Sequence, residues 1–246
     1  MSEARSVAIV GAGDYIGAAI ARRFACDGFR VHGGRRNAQE LAPLAGEIGA
    51  SGGVFVSHQL DARDLASIEA FLQAAEADAP LDLVVFNVGG NVRFPVLNTT
   101  DRVFRKVWEM ACFAGFLTGR EAARLMLPRG RGSIFFTGAT ASLRGGNGYA
   151  AFAAAKAGLR AFAQSMAREF GPQGLHIAHL VIDAGVDTKW VRERFAAAHG
   201  AAAVDAMPKD AMVNPDSIAE TYSALHRQPR DAWTFETDLR PYMETW

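Results

Sequence analysis

The segment YAAFAAAK, residues 149–156, ends on the amine of Lys156 and carries the Phe152 ring four residues before it. On a helix that spacing puts both groups on one face, one turn apart. The nearest phenol, Tyr149, stands seven residues from Lys156. Seven residues rise about 10.5 Å along a helix axis against about 6 Å for four, so this hydroxyl lies about one turn too far from the amine. Near the start of the chain, GAGDYIG sets Gly11, Gly13 and Gly17 between an apolar run and an amphipathic one. Glycines there let the backbone approach a pyrophosphate, and the N-terminus of the following helix offers free N–H groups and partial positive charge. GGRRN, residues 33–37, then presents Arg35 and Arg36, where an NAD site has an acid for the ribose 2′-hydroxyl. Two guanidiniums suit a 2′-phosphate through charge-assisted hydrogen bonds, which favours NADP(H) over NAD(H).

Other reactive residues form no site. His176 and His179 lie three apart in an apolar run that reads as a strand, and that spacing points side chains to opposite faces. The chain has no HExxH, no cysteine cluster and no GxSxG elbow, so a metal site and acyl hydrolysis lack support. Cys26 and Cys112 stand far apart and read as reduced thiols acting as small buried hydrophobes.

The elements that must position these groups follow from alternation. Strands are expected at 6–10, 29–34, 53–60, 81–88, 132–138, 175–182 and 233–239. Helices are expected at 15–28, 38–50, 64–78, 100–127, 148–170 and 216–228. Within 100–127, Val103, Val107, Met110, Phe113 and Leu117 recur at spacings of three and four, one helical stripe. Near-continuous apolar strands alternating with helices predict an α/β fold with a parallel sheet covered on both faces and right-handed crossovers. No repeat or linker divides the chain, so residues 1–246 read as one domain, with about 187–214 a mobile flap beside a site.

Half of the 246 residues are hydrophobic, enough for a sizeable core. Lysine plus arginine and aspartate plus glutamate both number 26. No basic excess indicates nucleic acid and no acidic excess indicates disorder. No apolar run reaches the roughly 18–20 residues of a membrane helix, and the N-terminus lacks the apolar stretch of a signal peptide. A cytoplasmic protein acting on a small molecule, with no membrane or nucleic-acid partner, is expected.

Together these motifs resemble the short-chain dehydrogenase/reductase superfamily over essentially the whole chain. Gly11 to Gly17 is similar to its glycine loop, Asp61 in LDAR follows the third strand, and NVGG, Asn87–Gly90, follows the fourth. Lys156 falls in the helix after the fifth. The resemblance implies a single-domain Rossmann-type doubly wound sheet of about seven parallel strands, in order 3-2-1-4-5-6-7, with the cofactor across their carboxyl ends. It implies cofactor contacts from Gly11, Asp14, Ile16, Gly17, Arg35, Arg36, Asp61, Ala62, Asn87, Gly89, Lys156 and Thr188. It implies a homodimer or homotetramer packed through helices at 100–127 and 148–170, and places Trp190 and Phe195 in a flap over the substrate. Trp246 is expected at a subunit interface.

The family's chemistry uses Asn, Ser, Tyr and Lys, and only Lys156 matches. Phe152 stands at the Tyr position, Ala139 at the Ser and Ala111 at the Asn. Tyr15 replaces a loop glycine, and Asp183–Ala184 replace Pro–Gly after the sixth strand. A positioned general acid is worth about 10²–10⁴ in rate. Tyr149 is expected to line the substrate cleft, and Thr140 at most to orient a substrate. Asp183 is the candidate acid, since a desolvated carboxyl at that edge of the sheet would have a raised pKa. With Lys156 it would resemble the peroxisomal 2,4-dienoyl-CoA reductases, which reduce a conjugated enoyl thioester without the tyrosine. A carboxylate capping a helix or paired with an arginine is the competing reading. Three functions stay open. The first is NADP(H)-dependent oxidoreduction of an apolar or conjugated carbonyl or enoyl substrate with a non-standard acid. The second is an inactive NADP(H)-binding sensor or oligomer partner. The third, for which Tyr15 argues, is a fold that binds no dinucleotide.

Overall fold

A computed structural model describes residues 4–244; the expectation for Trp246 lies outside them. Its strands are β1 Ser6–Val10, β2 Arg30–Arg35, β3 Val54–Gln59, β4 Leu81–Phe86, β5 Gly132–Thr137, β6 Leu175–Ile182 and β7 Glu236–Leu239. All pair in parallel, in the order β3-β2-β1-β4-β5-β6-β7. The helices are α1 Ile16–Cys26, α2 Ala42–Ala50, α3 Leu65–Asp78, α4 Asp101–Trp108, α5 Ala114–Met126, α6 Ala150–Phe170, α7 Lys189–His199, α8 Ala201–Asp205 and α9 Pro215–His226.

Period-two alternation builds a core on each side of the sheet. Val7 and Ile9 of β1, Phe135 of β5 and Leu180 of β6 pack with α1, α2 and α9. Ala8 and Val10 of β1, Phe136 of β5 and Ile177 of β6 pack with α3, α5 and α6. This two-sided burial is what the unbroken apolar runs required, and β1 and β6 have the bounds those runs predict.

The expected helix at 100–127 is broken. One turn of π-helix, Glu109–Phe113, separates α4 from α5. The wider turn offsets the two faces: Val107 and Ala111 join one apolar cluster, Ala114 and Leu117 another, and Met110 and Phe113 are only half-buried. Gly115 and Gly119 explain the tight seat of α5: a Cβ on Gly115 would collide with Leu159 of α6, and one on Gly119 would lie 2.8 Å from the Met166 sulfur. Cys112 is buried as expected, but Cys26 is exposed at the end of α1.

Helix starts differ in a way that bears on the site. The side chains of Asp64, Thr100, Thr188 and Asn214 accept backbone N–H bonds and cap α3, α4, α7 and α9. Tyr15 makes no such bond for α1; the Ala18 N–H bonds the Gly13 carbonyl at 2.9 Å, and those of Ile16 and Gly17 are left open to a ligand. Among the described residues no helix is long and apolar enough to cross a membrane, and no His, Cys, Asp or Glu group is arranged to hold a metal. His176 stacks on Trp233 at 4.9 Å, whereas His179 meets Glu236 at 3.0 Å.

Candidate functional site

A cleft of about 610 Å³ runs along the carboxyl ends of β1, β4, β5 and β6. Of the residues singled out in the sequence, Gly11, Asp14, Ile16, Gly17, Asn87, Gly89, Lys156 and Thr188 line it. A smaller recess of about 140 Å³ shares Gly11, Val88 and Gly89 with it and adds Arg35, Arg36, Asp61 and Ala62. Asp183 lines neither.

Two glycines of the turn have no room for a side chain. Gly11 has φ 91°, and a Cβ there would lie 2.9 Å from the Asn87 carbonyl oxygen. A Cβ on Gly17 would lie 2.6 Å from the Gly11 oxygen and 2.8 Å from the Ala12 Cα. Hydrogen bonds then fix the turn to the sheet. Asn87 Nδ2 donates to the Gly11 carbonyl at 3.1 Å, and the Thr137 hydroxyl donates to Asn87 Oδ1 at 2.9 Å. That uses the only Thr137 hydroxyl proton, so at 2.7 Å the Tyr222 hydroxyl must donate to Thr137. Tyr222 is fully buried, and burial raises its phenol pKa.

The recess at the end of β2 is rich in arginine. Arg35 donates to Asp14 at 2.8 Å and also meets Glu40, while Arg36 is exposed. Arg63, missed in the sequence, completes the lining. It holds Asp61 with two bonds of 2.9 and 2.6 Å. These bonds from Arg63 lower the Asp61 carboxyl to about 2. Its place two residues after Asp61, in the same strand-end loop, was the available signal.

Lys156 is buried on α6. Its Nζ donates to the carbonyls of Thr137 at 2.8 Å and Val88 at 3.2 Å, both neutral. Burial therefore pushes the ammonium down to about 8. The Phe152 ring centroid lies 5.9 Å from this nitrogen. Phe152 and Ala111 belong to one buried apolar cluster, and Ala139 packs against it. The three positions aligned with the family's Asn, Ser and Tyr thus adjoin one apolar cluster.

Nearby hydroxyls do not restore the missing groups. Thr137 is committed to Asn87 and Tyr222, and Ser142 Oγ accepts the Ala139 N–H at 3.1 Å. Tyr149 does not line the cleft, contrary to expectation. It precedes the first residue of α6, with Arg93 5.8 Å from its ring centroid and Arg194 Nη2 3.5 Å from its hydroxyl.

The expectation of a raised pKa for Asp183 is corrected. Its carboxylate is fully buried between Arg144, at 2.9 and 3.1 Å, and Arg240, at 3.1 Å. Burial pushes the carboxyl up, but bonds from Thr140 and Arg144 and the charges of both arginines outweigh it and hold the pKa below its ordinary value. It is an ion-paired anion outside the cleft lining.

Known proteins are similar in sequence and fold. The family model described as short chain dehydrogenase matches residues 5–199. The 3-oxoacyl-[acyl-carrier-protein] reductase FabG of Escherichia coli (strain K12) is 28% identical over 191 residues, 77% of each chain. The crystal structure of a short-chain dehydrogenase from Rhodopseudomonas palustris is 55% identical, with TM-score 0.83 over 97% of this chain and 99% of that one. A metagenomic short-chain oxidoreductase solved in complex with NADP is 25% identical, with TM-score 0.80 over 99% and 100%. With the fold, the glycine turn and this match over most of its length, the chain belongs to the short-chain dehydrogenase/reductase family.

Proposed function

We propose that the protein is an NADP(H)-dependent oxidoreductase that reduces an apolar, conjugated carbonyl or enoyl substrate without the family's tyrosine. The observation that carries this reading is a cradle fit for a dinucleotide set beside an apolar acid position backed by the buried Lys156 ammonium. Gly11 and Gly17 leave the close approach a pyrophosphate needs, and the uncapped start of α1 offers N–H donors. Arg36 and Arg63 favour a 2′-phosphate, with Arg35 shared between Asp14 and Glu40. The NADP complex of the metagenomic relative agrees with this cofactor class.

When bound, NADP(H) supplies the hydride. Asn87 holds the glycine turn, and Lys156, in the cleft lining, would hold the cofactor's ribose. Phe152 and Ala139 exclude water from the reacting end. Conjugation spreads the charge that hydride delivery creates on the substrate, and the Lys156 ammonium, made more acidic by burial, is the proton source. The segment at about 187–214 acts as the flap; α7 and α8 within it have no buried side chain. The helices at 100–127 and 148–170 form the subunit interface, a reading supported by exposed Phe104 and Trp108 and by the Trp108–Phe113–Phe116 ring stack.

Fluorescence titration with NADPH and NADH, followed by turnover assays on enones, dienoyl thioesters and ketones, tests the reading. NADPH binds more tightly than NADH and the conjugated substrates turn over. Lys156 is protonated below about 8, so reduction is fastest below that pH and falls as the pH rises through it. A rate indifferent to pH there removes Lys156 from the proton step. The withdrawal of Asp183 into its arginine clamp favours a second reading, an inactive NADP(H)-binding sensor or oligomer partner, which predicts NADPH binding with no turnover.

A further inference from the structure

At the opposite end of the sheet from the cleft, a cavity of about 250 Å³ opens beside the starts of β4 and β5. It shares Gly174, Arg230 and Trp233 with an adjoining cavity of about 300 Å³. Six-residue β5 separates this region from the cleft, a distance of roughly 20 Å. Arg5, Arg131 and Arg230 line the two cavities, and Asp82 is the one carboxylate among their described lining residues.

Asp82 is already satisfied. Arg5 Nη1 lies 2.7 Å and His226 Nε2 3.2 Å from its Oδ2, and the other His226 nitrogen lies 3.0 Å from Ser133 Oγ. Arg131 reaches this acid only at 3.6 Å, from an exposed position. Arg230 commits one terminal nitrogen to the Gly130 and Gly174 carbonyls, which hold it without cancelling its charge. Its guanidinium carbon also lies 5.8 Å from the Trp233 ring centroid, and Trp233 stacks on His176 at an interplanar angle of 3°. Gly174, at φ 93°, has no space for a side chain against Arg230 and the Gly130 carbonyl. One guanidinium is therefore preorganised and a second is exposed and held only by a long contact to Asp82, with an excess of two positive charges on the walls.

We propose that this cavity binds the phosphate dianion of a small phosphomonoester, with Arg131 and Arg230 as its ligands and the adjoining cavity holding the organic group. The charge excess matches a dianion, and planar guanidinium forks match phosphate oxygens. The site is separate from the dinucleotide cleft and does not depend on the reaction proposed there.

The test titrates the full chain with inorganic phosphate at constant ionic strength and follows the backbone amide signals of Ser133, Gly174 and Trp233 by NMR. Saturable shifts are expected at all three. Arg131→Gln, at an exposed position that spares the fold, weakens the response about tenfold, the scale of a charge-assisted bond. Adding Arg230→Gln abolishes it, whereas Arg36→Gln in the other recess leaves it unchanged. The site is overturned by an absence of saturable shifts, by shifts that Arg131→Gln does not weaken, or by shifts that disappear with Arg36→Gln.

Discussion

Along the cleft, Gly11, Asn87 and Thr137 form an ordered hydrogen-bond chain, while Ala139 after β5 and Phe152 on α6 present packed carbon. The first depends on backbone closeness. Gly11 and Gly17 admit no Cβ, so nearly any substitution there destroys the turn. The second depends on side chains, and side chains can be exchanged together. Ala111, Ala139 and Phe152 touch one cluster, so a lone amide or hydroxyl restored among them would be buried without its partners. That shared packing means any polar group introduced at one of the three positions is felt at the others.

The sharpest way to break the comparison is Gly17→Val. Its Cβ would stand 2.6 Å from the Gly11 oxygen, and NADPH affinity should fall by more than about 100-fold, roughly 3 kcal/mol. Fluorescence titration measures this, and a variant that binds normally would show that the turn is not the cradle. In the other part, Phe152→Tyr with Ala139→Ser restores a phenol near Lys156 and a hydroxyl for the substrate. Ketone reduction should rise about 10²-fold, the lower end for a general acid; steady-state kinetics showing no gain would mean the apolar wall itself excludes ketones. Arg36→Gln should weaken NADPH about tenfold and leave NADH unchanged, since only the former carries the 2′-phosphate. Equal losses for both cofactors would sink that assignment. The smallest effect is expected from Tyr222→Phe, which removes the terminal donor of the chain to Gly11. A cost of about 1 kcal/mol should appear as a several-fold rise in the NADPH dissociation constant, and an unaltered value would mean that Asn87 holds the turn alone.

The strands and the glycine turn were legible because each is written in contiguous residues. SVAIV and LHIAHLVI are buried on both faces and read as such. The break at Glu109–Phe113 was not, since an inserted turn leaves the local spacing of apolar residues nearly intact. Asp183 was placed at the correct strand end with two states open, a raised-pKa acid or an arginine-paired carboxylate, and the structure shows the second. Its partners lie 39 residues before it, at Arg144, and beyond β7, at Arg240, and nothing local announces them. Tyr222 escaped notice for the same reason, lying 85 residues from the Thr137 hydroxyl it meets.

The Asp183 clamp has a mechanical side. It ties the end of β6 to Arg144 ahead of α6 and to Arg240 just past β7, with the carboxylate itself fully buried. One jaw of the cleft is therefore anchored at three points of the chain. The opposing side, α7, which lends Trp190 and Val191 to the cleft, buries no side chain of its own. Substrates of different girth would be accommodated by displacement of that side alone, so shape selectivity should reside in Trp190 and its neighbours, with the strand ends serving as a fixed gauge.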